Sequence, residues 1–125
     1  MAKARIVLEH SDPTKFYGIE FRCPGCAAST DRGSDLVVLP VRWCPEGLTR
    51  SGLTVGRDGW DFNGNFDLPT FNPSVLSHFD MPEEDGYPAV HFVCHSFVRD
   101  GKIQFLGDCT HALAGQTVDL PELPE

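Results

Sequence analysis

Six side chains suited to binding a soft metal fall into three tight clusters along the 125 residues: Cys23-Pro-Gly-Cys26, Cys94-His95 and Cys109-Thr-His111. A C-x-x-C with glycine at its centre lets the backbone turn sharply, so two thiolates converge on one ion. Thiolates at ~2.3 Å are the donors that tetrahedral Zn²⁺ prefers. Structural zinc needs four ligands, and the expected set is Cys23, Cys26, Cys94 and Cys109, with His95 and His111 as alternates. Zinc is favoured over an iron–sulfur cluster, because histidine is at hand and the spacing fits no ferredoxin pattern. The competing explanation for these cysteines is simple burial, since Cys is among the most buried residue types. A thioredoxin-like role for Cys23 and Cys26 would want a βαβ context, which this chain lacks. The fifth cysteine, in Trp43-Cys-Pro-Glu46, has no partner nearby in sequence and reads as a packed thiol.

The same clusters admit a catalytic alternative. His95, Asp108 and His111 around a water-bearing zinc, with an acid as general base, would make a metal-dependent hydrolase. Four cysteines predict a closed, unreactive centre instead. No G-x-S-x-G, H-E-x-x-H or phosphate-cradling glycine loop is present. On this reading no catalytic residue is assigned, and His10, His78 and His91 are packing or surface groups.

The elements that must position these residues are short strands. Runs rich in β-branched and aromatic residues recur between turn signals: Arg5–Glu9, Phe16–Arg22, Leu36–Val41, Leu53–Val55, Val75–Phe79, Val90–Val98, Lys102–Leu106 and Thr117–Leu120. With ten prolines and twelve glycines spread throughout, no long helical stripe survives. The pattern predicts a mainly β fold: one compact antiparallel β-sandwich or small barrel over residues 1–120, with a zinc knuckle and a C-terminal hairpin. One helical turn is expected at Thr110–Ala114, stopped by Gly115. Ala27–Asp35 and Asp80–Pro88 read as exposed loops, Asn63-Gly64 as a hairpin closure, and residues 121–125 as a fraying tail.

Asp100-Gly101 carries the strongest local signal, because both central positions of a type I′ turn need positive φ. Such a hairpin pairs Arg99 with Lys102, Val98 with Ile103 and Ser96 with Phe105. Alternation then puts Cys94, Ser96 and Val98 on one face with Ile103, Phe105 and Cys109. His95 points to the other face.

Charge narrows the partners. Ten Lys and Arg stand against 18 Asp and Glu, a net charge of −8. Residues 61–125 hold only Arg99 and Lys102 against eleven acids, so that half repels phosphate. Nucleic acid and anionic membranes are therefore disfavoured. No apolar run approaches the ~20 residues that cross a bilayer. The N-terminus reads as a strand rather than an export signal, and an odd number of cysteines argues for a reducing compartment.

Four segments together resemble small proteins of tailed-bacteriophage and prophage genomes. They are Trp60-Asp-Phe-Asn-Gly64, Pro69-Thr-Phe-Asn-Pro-Ser74, Cys94-His-Ser-Phe-Val98 and Ile103-Gln-Phe-Leu-Gly-Asp-Cys-Thr-His-Ala-Leu-Ala-Gly-Gln-Thr-Val118. With Cys23–Cys26 the likeness spans roughly residues 20–120. Similar proteins look metal-binding, and some carry the label ammonia monooxygenase, for which this chain has no copper or di-iron ligand set. Where they often have glycine and then histidine after the C-x-x-C, this chain has Ala-Ala-Ser-Thr30. That departure shifts weight onto Cys94, His95, Cys109 and His111. The resemblance implies a phage origin, a host-cytoplasm setting and virion association as a further option. The function it suggests is a zinc-stapled accessory protein that binds a host or phage protein. Its expected interaction surface is Trp60, Phe62, Asn63 and Phe71, the competing view being that these aromatics are core.

Overall fold

The structure, a computed structural model, describes residues 2–29, 36–52 and 59–124. The first sheet is built from β1 (Ala4–Glu9), β2 (Asp12–Arg22), β3 (Leu36–Leu39) and β4 (Thr49–Arg50). In it β2 pairs antiparallel with β1 and β3, and parallel with β4. The second sheet runs β5 (Asp61–Phe62), β6 (Phe71–Met81), β7 (Val90–Arg99), β8 (Lys102–Phe105) and β9 (Thr117–Asp119) in chain order, all antiparallel. The fold is mainly β, as expected, and the described residues form two sheets and no closed barrel.

Aromatic side chains join the sheets. Phe21 of β2 stacks on Phe71 of β6 at 5.5 Å, and Phe71 on Phe62 at 5.1 Å. Trp43 stands edge-on to Phe16, Phe62 and Phe66. Edge-to-face and offset contacts of this kind add roughly 0.5–1.5 kcal/mol each beyond the area they bury.

The Asp100-Gly101 hairpin forms in the predicted register, Arg99 against Lys102, Val98 against Ile103 and Ser96 against Phe105. Asp100 has φ 51° and Gly101 φ 75°, the left-handed pair that a type I′ turn requires. Gly101 is also pinned from outside the turn: its N–H donates to Pro69 C=O, and its C=O accepts from Leu120 N–H, both at 3.0 Å. A Cβ there would sit 3.1 Å from the Leu68 side chain and 3.2 Å from its Cα. Gly101→Ala is therefore expected to cost about 1–3 kcal/mol, read as a lower denaturant midpoint at unchanged slope. An unshifted midpoint would mean the turn carries no strain.

Other local expectations need correction. The helix is α1 (Pro24–Ser29), not Thr110–Ala114. Proline suits the first helical position, and Cys23 caps α1 by accepting the Cys26 N–H on Sγ at 3.4 Å. Residues 110–114 form only a turn, with Ala114 N–H on His111 C=O, ended by Gly115 at φ 77°. The loop expected at Ala27–Asp35 begins inside α1, and its remainder lies outside the described residues. So does the strand expected at Leu53–Val55. Asn63-Gly64 is not a two-residue closure, because β5 and β6 are joined through residues 63–70. In the acidic loop, Glu84 and Tyr87 exchange backbone hydrogen bonds around Asp85 (φ 44°) and Gly86 (φ 84°), a second Asp-Gly turn. The tail is docked rather than frayed as far as Leu123, which is buried and donates its N–H to Ala2 C=O at 2.8 Å. Among the described residues no helix is long and apolar enough to cross a membrane.

Candidate functional site

Alternation along β7 divides the chemistry between two faces. Phe92, Cys94, Ser96 and Val98 are buried against the other sheet, while His91, Val93, His95 and Phe97 face outward. Cys94 and His95, neighbours in sequence, therefore serve different sites.

On the inner face, the end of β2 and the first turn of α1 carry Cys23 and Cys26 to Cys94. The three sulfurs lie within 4.8 Å of one another, and Cys23 Sγ is 3.6 Å from Cys94 Sγ. Cys94, Cys109 and His111 form a second group within the same limit. His111 Nε2 is 3.3 Å from Cys94 Sγ, and a Cβ at residue 25 would collide with that nitrogen, so glycine is what lets the C-x-x-C loop close over the imidazole. All five side chains are buried. Hydrogen bonds with Cys26, and then with Cys94, hold the Cys23 thiol far below the usual thiol range. Hydrogen bonds with Cys23 and then Cys26, with burial and the neighbouring charge adding to them, push Cys94 up. Burial pushes His111 down, against the opposing pull of Cys23. This donor set, soft, crowded and predominantly sulfur, fits a metal ion.

On the outer face, β6 delivers a serine. From Phe71 to Val75 it takes four steps while β7, from Val98 to Ser96, takes two, so Asn72-Pro73-Ser74 bulges out of register. Bulges of this kind re-aim a side chain. Leu76 stands directly opposite His95, which makes Ser74 its diagonal neighbour on the same face. Ser74 Oγ lies 3.0 Å from His95 Nε2. On the far side of His95, the chain leaves β8 after Phe105 and turns so that Asp108 Oδ2 lies 3.1 Å from His95 Nδ1. The Trp60 indole N–H donates to the Ser74 carbonyl at 3.2 Å and fixes the backbone that bears the hydroxyl. A hydroxyl on one ring nitrogen and a carboxylate on the other make the constellation that activates serine as a nucleophile.

A family model described as bacterial ubiquitination-like system serine protease (BubE) matches residues 2–106. The chain belongs to that family. No curated protein and no solved structure matches it. The BubE match contains Ser74 and His95 and ends two residues before Asp108.

In this member of the BubE family the sequence-predicted ligands are distributed as follows. Cys23, Cys26 and Cys94 converge, Cys109 and His111 both reach Cys94, and His95 does not join them. The trio proposed for a zinc-bound water is thereby divided: His95 and Asp108 meet outside the sheet, while His111 lies inside with the thiols. Cys44 sits apart, its Sγ 3.5 Å from Leu48 C=O. Of the four residues expected to form an interaction surface, Phe62 and Phe71 are core, Trp60 is half-buried and only Asn63 is exposed.

Ser74 is the residue that sequence reasoning missed. It ends Pro69–Ser74, one of the segments carrying the phage-protein resemblance, and His95 and Asp108 lie in two others. A serine, a histidine and an aspartate in three such separate segments was the available signal.

Proposed function

We propose that this chain is a serine protease of a bacterial ubiquitination-like system, with Ser74 as nucleophile, His95 as general base and Asp108 as its orienting acid. The observation that carries the reading is the two-sided hydrogen bonding of His95, Nε2 to Ser74 Oγ and Nδ1 to Asp108 Oδ2. The family description supports it by naming a serine protease.

The chemistry follows from the geometry. Asp108 accepts a hydrogen bond from Nδ1–H, which fixes the tautomer that leaves Nε2 free to take the proton of Ser74 as Oγ attacks a peptide carbonyl carbon. The imidazolium then gives that proton to the departing amine, leaving an acyl group on Oγ. A water molecule, deprotonated in turn by Nε2, releases the acid and restores the serine. A depression of about 290 Å³ lined by Phe97, Arg99, Asp100, Lys102, Gln104 and Thr117 includes Phe97, which follows His95 by two on the same face of β7.

The inner cluster is read as a structural zinc centre held by Cys23, Cys26, Cys94 and His111. When bound, the ion supplies a cross-link and no chemistry to the outer face. Ligation through Nε2 places the imidazole proton on Nδ1, which forfeits the 3.2 Å contact from Leu113 N–H. That contact is worth about 1 kcal/mol, against roughly 10–16 kcal/mol for a structural zinc site. Metal binding wins.

The protease reading is tested by the rate at which a fluorophosphonate modifies the protein, since that reaction needs an activated serine. His95→Ala is expected to reduce the rate to background. Asp108→Asn should cost less than the ~10⁴-fold seen when a buried triad aspartate is lost, because the Asp108 side chain is 56% exposed and its charge is screened. A wild-type rate in either variant would refute the triad.

A further inference from the structure

We propose that Cys109 is a positioning residue for the triad rather than a metal ligand: its thiol clamps the backbone of His95 and holds Asp108 in place beside it. The proposal rests on the protease reading above, and draws on contacts that reading leaves unused.

The β7–β8 ladder ends at Ser96 and Phe105. Beyond it, the backbone groups of β7 on that side must find other partners, because an unpaired N–H in a sheet interior is costly. Leu106 N–H donates to His95 C=O at 2.9 Å, one residue past the ladder. Cys109 then takes the place of a strand residue with its side chain. Its Sγ accepts the His95 N–H at 3.2 Å and donates S–H to His95 C=O at 3.2 Å. Thr110 repeats the device two residues along β7: its Oγ1 accepts Val93 N–H at 3.0 Å, and its own N–H donates to Val93 C=O at 2.9 Å. The segment that carries Asp108 is thus tied to β7 on its C-terminal side by the Cys109 and Thr110 side chains together with the Thr110 N–H.

Two features set Cys109 apart from the ligands. A metal-bound thiolate has no proton to donate, and would oppose the His95 carbonyl oxygen at the same distance that a thiol bonds to it. Cys109 shares the second group with Cys94 and His111, but unlike the His111 imidazole its Sγ is engaged on both sides by the His95 backbone, N–H and C=O. Its sequence position completes the argument: it immediately follows Asp108 and grips the residue whose imidazole Asp108 orients.

The test uses the full chain with Cys109→Ala and Cys109→Ser. Zinc content, the fluorophosphonate rate and hydrogen exchange at the His95 amide are measured in each. Cys109→Ala is expected to keep one zinc per chain, lose protection of the His95 amide and react about 10²-fold more slowly, the scale of loss for a catalytic group misplaced by an ångström. Cys109→Ser, whose hydroxyl also accepts and donates, should regain most of the rate and the protection. Loss of zinc in Cys109→Ala would make Cys109 a ligand and overturn the proposal, as would an unchanged rate with unchanged His95 protection. A wild-type chain that does not react at Ser74 would refute the protease reading instead. In that event zinc content and amide protection still decide whether Cys109 clamps His95.

Discussion

Replacing Ser74 by alanine is expected to abolish peptide cleavage, on the order of a 10⁶-fold loss in kcat, the size seen when a triad nucleophile is removed. The substitution deletes one hydroxyl from a half-buried position on the outer face, where its hydrogen-bond partner is His95 Nε2. Ser74 shares the outer face with His95 while the thiol cluster lies on the inner one, so the fold and any bound metal should be unchanged. A degenerate peptide library, read by mass spectrometry, supplies the assay whatever the natural substrate is. Wild type should generate a consistent set of cuts, and Ser74→Ala none above background. Equal cleavage by the variant would leave Ser74 without a chemical role. It would return attention to metal-based hydrolysis, for which His95 and His111 face opposite ways.

Withdrawal of the proposed zinc should have the largest effect on stability. Structural zinc sites contribute roughly 10–16 kcal/mol, comparable with the whole net stability of about 5–15 kcal/mol of a typical domain. Cys23 and Cys94 are 71 residues apart, and the ion would join the first sheet's β2–α1 corner to the middle of the second sheet. A strong chelator, or Cys23→Ser, is expected to unfold the chain at room temperature, seen as loss of the near-ultraviolet signal of its packed aromatics. Fluorophosphonate reactivity should vanish with the fold, because Cys94 immediately precedes His95. Cadmium, which also favours thiolates, should restore both. A metal-free chain with an unchanged melting temperature would remove the staple from the account.

How far these sites are legible in the sequence depends on the range of the interaction. The Asp100-Gly101 turn is local, since two positive φ values leave few residue choices, and its register then places Cys94 and His95 on opposite faces. The thiol cluster is legible because cysteines in close pairs, recurring beside histidine, point to convergence on one place. Ser74 is not. Its direction comes from a mismatch of four steps against two between β6 and β7, which only the paired strands express. Its partners lie 21 and 34 residues further along the chain, with no local motif joining them. Helix α1 is hidden for a different reason: six residues containing Pro-Gly have no amphipathic period, and the helix depends on the Cys23 cap and on burial of its cysteine. Phe62 and Phe71, set among Asn, Asp and Pro, look like a surface in sequence, yet stack at the centre of the core. Leu123 belongs to a short Pro- and Glu-rich end whose docking depends on Ala2, at the opposite terminus.

The central claim is that the hydroxyl of Ser74 is made nucleophilic by His95 and Asp108. The most direct measurement is the mass of the wild-type protein after treatment with diisopropyl fluorophosphate, with the adduct located by peptide mapping. The account predicts one diisopropylphosphoryl group per chain, on Ser74, and none in His95→Ala. An unmodified chain, or an adduct on any other residue, would contradict it.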